Sequence, residues 1–173
     1  VIGDFAKNPR YQGAGSSMVN STQVDVLLDK LIDSELNVIG YQQGFDRHGK
    51  PDAALQKSAC ELATQADTVI LCMGLDEIAE SEGLDRSNLR LAQNQLDLLQ
   101  AVAVVNPKIV VVLYSGSVVE TPWLDNCQAL LYAALGGQAG AGAVADALTG
   151  KVNPSGSLVD TYCYDNFSAP AMW

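Results

Sequence analysis

The chain has 173 residues, with 10 Lys and Arg against 20 Asp and Glu, a net charge of −10 and an isoelectric point near 4.3. That size can bury a layered core with no disulfide or metal to hold it. The negative field repels phosphate backbones and anionic lipid, which excludes nucleic acid and membrane surfaces as partners, and no apolar run approaches the roughly 20 residues of a membrane helix.

Charged residues are only 17 % of the chain, against about 25 % in an average soluble domain. Strands buried on both faces, or a surface that normally meets something else, would each produce that deficit. The chain opens on Val1-Ile2, which reads as the tail of a strand and suggests an excerpt of a longer protein. A helix is predicted over 22–34, where Val24, Leu27, Leu28, Leu31 and Ile32 recur at three- and four-residue spacing. Leu36-Asn37-Val38-Ile39 is a second weak strand candidate, followed by a helix over 53–66 with Leu55, Ala59, Leu62 and Ala63 on one face.

The strongest strands are predicted at 68–73, 108–113 and 129–133, because these short runs are almost uninterrupted by polar residues. Between them a helix is predicted over 92–105, ending at Asn106-Pro107, and another over 138–148, ending at Gly150. Strand and helix alternate throughout. The expectation is therefore one α/β domain over 1–173, a three-layer sandwich whose mostly parallel, doubly wound sheet carries helices on both faces. Ligands of such sheets bind beyond the carboxyl ends of the strands. Two connections there, 3–20 and 74–90, exceed the usual length of about 2–6 residues.

Several familiar site patterns are incomplete. Gly13-Ala14-Gly15-Ser16-Ser17 lacks the third glycine of a dinucleotide loop, since Met18 stands there, and reads better as a tight turn whose small residues permit close backbone approach. His48 is the only histidine, in a polar loop, and Ser115 lacks the flanking glycines of a nucleophile elbow. Cys60, Cys72, Cys127 and Cys163 show no Cys-x-x-Cys spacing and read as free thiols. With one histidine no compact metal shell is expected, and no cofactor is expected either.

The loop 76–86, Asp-Glu-Ile-Ala-Glu-Ser-Glu-Gly-Leu-Asp-Arg, concentrates five carboxylates and one arginine at the rim. It reads either as a solvated acidic loop or as a site. Gly83 lets the chain turn and project Glu82, Arg86 can neutralise one acid, and crowding should raise the pKa of the least solvated carboxyl. A carboxyl kept protonated near neutrality is what general-acid catalysis at a glycosidic oxygen needs. A glycosidase also needs a second carboxylate, about 5–5.5 Å away for retention or 6.5–9.5 Å for inversion. Asp46, Glu120 and Asp125 lie in contexts that do not suggest it.

The runs 9–17 (Pro-Arg-Tyr-Gln-Gly-Ala-Gly-Ser-Ser), 80–86 (Glu-Ser-Glu-Gly-Leu-Asp-Arg), 106–117 with Pro122-Trp123-Leu124, and Gly137-Gln138-Ala139-Gly140 with Val152-Asn153-Pro154-Ser155-Gly156 together resemble the second domain of glycoside hydrolase family 3, in order along the whole chain. The resemblance implies a six-stranded α/β sandwich packed on an N-terminal barrel domain that supplies the nucleophilic aspartate and most sugar contacts. It implies a retaining β-glycosidase, β-glucosidase-like, acting on terminal non-reducing residues of a carbohydrate substrate. Carried onto this chain, the acid/base is Glu82, with Glu80 the alternate and Asp85 and Arg86 as supporting neighbours. The 10–17 loop would line the domain junction. Ala92 and Val159 stand where relatives tend to have proline. The alternative readings are a non-catalytic carbohydrate- or protein-binding α/β domain and, less well supported, a flavodoxin-like or nucleotide-binding domain.

Overall fold

In a computed structural model, described here for residues 1–168, three parallel strands form the sheet: β1 (Val69–Gly74), β2 (Ile109–Tyr114) and β3 (Ala129–Tyr132), in the order β1-β2-β3. The register runs from Val69 opposite Ile109 to Gly74 opposite Tyr114, then from Val110 opposite Ala129 to Leu113 opposite Tyr132. On the far side of β1, Ile2 makes single parallel bridges to Leu71 and to Gln42. The chain thus crosses the sheet in the order Gln42, Ile2, β1, β2, β3. The direction of winding reverses between Ile2 and β1, and a reversal of that kind opens a crevice at the carboxyl ends of the two strands involved.

The helices are α1 (Leu27–Ile32), α2 (Ala53–Ala63), α3 (Gln93–Val105) and α4 (Gly140–Leu148). α2 packs with α3 and α1 with α4. Leu71, Cys72, Met73, Val111, Val112 and Leu113 are all buried, so successive side chains on both faces of the sheet are covered. That is the sandwich expected from the unbroken apolar runs.

The boundaries reflect local chemistry. α2 starts where the Asp52 carboxylate accepts from the amides of Ala54 and Leu55, both at 3.0 Å. Its carboxyl end is tied off by Asn106, whose side-chain amide donates to the carbonyls of Ala63 and Ala66 at 3.0 and 2.8 Å. α1 is shorter than the pattern 22–34 predicts. Val26 is extended and offers no side-chain cap, and the Asp25 amide is engaged by the Gln138 carbonyl at 2.8 Å. The same bond delays α4 to Gly140, and Gly150, at φ 77°, ends it as expected. The weak strand expected at 36–39 lies outside the sheet, with Leu36 and Ile39 exposed, and the pairing is made three residues later by Gln42. Among the described residues the sheet has three strands and these two bridged positions rather than six full strands.

One polar side chain at the centre decides how the site is held. Gln95, 1 % exposed on the packed face of α3, donates to the Gly74 carbonyl and accepts from the Gly74 amide, both at 2.9 Å. The helix thereby fixes the last residue of β1, from which the acidic loop departs.

Candidate active site

The two long loops leave adjacent strands at the reversal point and pair with each other. Ala14 bridges Ser81 in parallel, and the Glu82 amide donates to the Ala14 carbonyl at 3.2 Å. The small residues at 13–17 do permit close backbone approach, and what approaches is the acidic loop. At Gly15, φ is +101°, and a β-carbon there would lie 2.5 Å from the Glu82 Cβ and 2.8 Å from its Oε2.

The loop acids do not crowd one another, which corrects the expectation of mutual repulsion. Asp76, Glu77, Glu80 and Glu82 are each turned toward separate donors. Asp76 accepts from the amides of Ile78 and Ala79 at 3.1 and 2.8 Å and pairs with His48 Nδ1 at 2.7 Å. Glu77 pairs with Arg47, which also contacts Asp4 at 2.6 Å and the Asn8 carbonyl at 3.0 Å, and stacks its guanidinium 4.5 Å above the Phe5 ring. Partial burial opposes the charge on Glu77, but Arg47 outweighs it and holds this carboxyl below its usual range. Hydrogen bonding to Asp76 raises the His48 pKa above its ordinary value.

Glu80 and Glu82 are separated by one residue and differ in almost everything else. Glu80 points inward, its side chain 11 % exposed. It accepts from the Gly116 amide at 2.9 Å and from the Ser117 hydroxyl, and it faces Arg10 Nη1 at 3.4 Å. Arg10 is 2 % exposed and donates also to the carbonyls of Glu80 and Leu75, at 3.2 and 3.4 Å. Glu82 is exposed and, among the described residues, meets no cation. Its Oε2 accepts from the Ser16 amide at 2.5 Å, and Gly83, at φ 77°, turns the chain beside it. Ser16, through its hydroxyl and then its amide, lowers the Glu82 pKa, and the amide makes the directed bond.

Of the supporting residues, Asp85 is exposed and Arg86 donates to the Val118 carbonyl at 2.6 Å. Among the described residues Arg86 forms no ion pair; Arg47 neutralises Glu77, and Arg10 neutralises Glu80 from below. Sequence reasoning missed that role because Arg10 and Glu80 lie 70 residues apart. The visible signal was a single arginine in the otherwise uncharged run 9–17. Arg10, Glu80, Asp85, Arg86, Gly116 and Leu135 border an open cleft of about 380 Å³.

Other sequence candidates lie elsewhere or stay apart. Ser115 is buried under the Tyr132 hydroxyl, which donates to its carbonyl at 2.8 Å, and His48 is taken up by Asp76. Glu120 is buried beside Arg90, at 3.3 Å. The four cysteines are free, and burial pushes the Cys72 thiol up to about 12. Among the described residues no three His, Cys, Asp or Glu side chains converge so as to hold a metal ion, and no helix is long and apolar enough to cross a membrane.

Comparison with known proteins places this arrangement. The chain is 42 % identical over 174 residues to an exo-α-(1→6)-L-arabinopyranosidase of Bifidobacterium breve, covering 99 % of this chain and 23 % of that protein. It is 42 % identical over 166 residues to thermostable β-glucosidase B of Acetivibrio thermocellus, covering 94 % and 22 %. The crystal structure of a GH3 β-glucosidase from Bifidobacterium adolescentis superposes with a TM-score of 0.92 at 44 % identity, over 99 % of this chain and 25 % of that one. The chain thus spans about a quarter of the length of the relatives it matches. The glycosyl hydrolase family 3 C-terminal domain matches residues 1–170, and the chain belongs to that family.

Proposed function

We propose that the full-length protein is a retaining β-glycosidase and that this domain lends it the acid/base Glu82, the nucleophile and most sugar contacts coming from a barrel domain. The observation that carries the assignment is the contrast within the loop. Glu80 is sequestered by Arg10, Gly116 and Ser117, whereas Glu82 is exposed yet held in place by the 14–16 backbone. An acid/base must reach its substrate and still be oriented, and Glu82 meets both conditions. Met18, Val19, Ile78 and Leu84 expose large apolar side chains on the same two loops, which suits a rim covered by another domain.

In the first step the Glu82 proton passes to the glycosidic oxygen as the C1–O bond breaks and the nucleophile carboxylate bonds to C1. In the second, ionised Glu82 takes a proton from water. The water oxygen bonds to C1, the glycosyl–enzyme bond breaks, and Glu82 is protonated again. The hydrogen bonding from Ser16 suits the base step, since it stabilises the carboxylate. Substrate and the covering domain would desolvate the group and favour its protonated form for the acid step. Asp85 and Arg86 would act as supports, the latter tying the loop to Val118.

The test uses the full-length enzyme with β-glucosides and α-L-arabinopyranosides, the substrates named for its relatives. Glu82→Gln should lower kcat/KM on disaccharides by about 10²–10⁴. It should affect dinitrophenyl glycosides, whose leaving group needs no proton, far less, and azide should restore their turnover. Unchanged hydrolysis of disaccharides would reject the assignment.

A further inference from the structure

We propose that the Gly15–Ser16 backbone is the positioning element for the Glu82 carboxylate, anchoring Oε2 so that Oε1 alone carries the transferred proton. This rests on the acid/base reading of Glu82 given above. An exposed glutamate has three rotatable side-chain bonds and no intrinsic preference for one orientation. Here the orientation is imposed from outside the acidic loop. The Ser16 amide donates to Oε2 at 2.5 Å, and the bond cannot rotate away because the donor belongs to the main chain. The main chains of the two loops are themselves locked by the Ala14–Ser81 bridge and the Glu82-to-Ala14 hydrogen bond at 3.2 Å.

The contact also explains why residue 15 is glycine. Its φ of +101° disfavours other residues, and a β-carbon would sit 2.5 Å from the Glu82 Cβ and 2.8 Å from Oε2, displacing the carboxylate. An amide donor suits a group that changes protonation state in each turnover. It bonds to a carboxylate oxygen in one state and to the carbonyl oxygen of the neutral acid in the other, so Oε2 stays held while the proton comes and goes on Oε1. The Ser16 hydroxyl also favours the carboxylate, but the directed bond to Oε2 is the one from the main-chain amide.

The experiment compares Glu82→Gln, Gly15→Ala and Ser16→Pro in the full-length enzyme, with Ser17→Ala at the exposed neighbour as control. Each is assayed on an alkyl glycoside and a dinitrophenyl glycoside of the same sugar, with and without azide. Displacing a reacting group by about 1 Å costs on the order of 10²-fold, so Gly15→Ala should lose about that on the alkyl glycoside. It should lose no more than about threefold in kcat/KM on the activated one, with azide raising its kcat. Ser16→Pro, which removes the donor without adding a β-carbon next to Glu82, should show the same split. Equal losses on both substrates with no azide response would mean ordinary structural damage and would overturn the inference, as would full activity in both loop variants. If Glu82→Gln itself shows no leaving-group split, the acid/base reading fails and takes this inference with it. A split for Glu82→Gln without one for the loop variants sinks only the inference.

Discussion

Removing the Glu80 side chain tests whether this residue is a clamp or a second acid. In Glu80→Ala the Arg10 guanidinium stays buried and keeps, among the described residues, the carbonyls of Leu75 and residue 80 at 3.4 and 3.2 Å. The Gly116 amide and Ser117 hydroxyl also lose their acceptor. Breaking a buried ion pair by deleting one partner costs about 3–5 kcal/mol. The 3.4 Å separation and the 11 % exposure of Glu80 place this pair at the lower end, near 3 kcal/mol. For a chain of this size, that is a fall in Tm of about 6–12 °C, read by calorimetry. Glu80→Gln preserves an acceptor and should cost about half as much, and Arg10→Met combined with Glu80→Gln should cost less than the sum of the two, since they share one interaction. In the full-length enzyme the loss should fall evenly on activated and unactivated glycosides, and azide should restore nothing. If Glu80→Ala cost under about 1 kcal/mol while splitting the two substrate types, the clamp would be refuted and Glu80 would become the acid.

Two further outcomes follow from local geometry. His48 is the single histidine, so one imidazole proton resonance reports its titration. Its pKa should lie above 6.5 and return toward that value in Asp76→Asn, because the 2.7 Å contact with Asp76 favours the charged ring. A raised folded pKa stabilises at low pH, so the contribution is complete below about 6.5 and disappears as pH rises through the folded value. Ala92→Pro should stabilise by about 0.4–1 kcal/mol in urea unfolding. Ala92 already has φ −58°, inside proline's range, and its amide makes no hydrogen bond among the described residues. A loss of stability would show that the residue before it cannot accept a following proline.

The architecture was readable because both of its signals are local. An unbroken apolar run such as Ile109–Tyr114 states that both faces of that strand are covered, and Asn106-Pro107 states where α3 must stop. The misplaced strand shows where that reasoning ends. Leu36-Asn37-Val38-Ile39 looks more like a strand than Gln42 does, yet the pairing goes to the residue whose main chain can reach Val1 and Gly3. Propensity ranks segments, but tertiary reach chooses between neighbours. Gln95 escaped notice for a related reason. It lies on the apolar stripe of α3, and only the position of Gly74 shows why an amide is needed there.

The site separates the same two kinds of information. Composition located the acidic loop, and the glycine after Glu82 indicated a projecting side chain, because both are properties of a few adjacent residues. Which of Glu80 and Glu82 is free could not be read there. The difference is made by Arg10, Ser16, Gly116 and Ser117, which sit 36 to 70 residues away; the first two meet the loop because Ile2 lies beside β1, and the last two because β2 lies on its other side. In a regular strand two glutamates with one serine between them would share a face, but here the Glu80 amide closes a turn on the Asp76 carbonyl at 3.2 Å just before Ser81 bridges Ala14, so the two side chains point apart. The buried arginine decides it. A carboxylate that turned away from Arg10 would leave a charge unpaired in the interior, so Glu80 is held inward, while Glu82, tied to the Ser16 amide and turned by Gly83, stays at the rim.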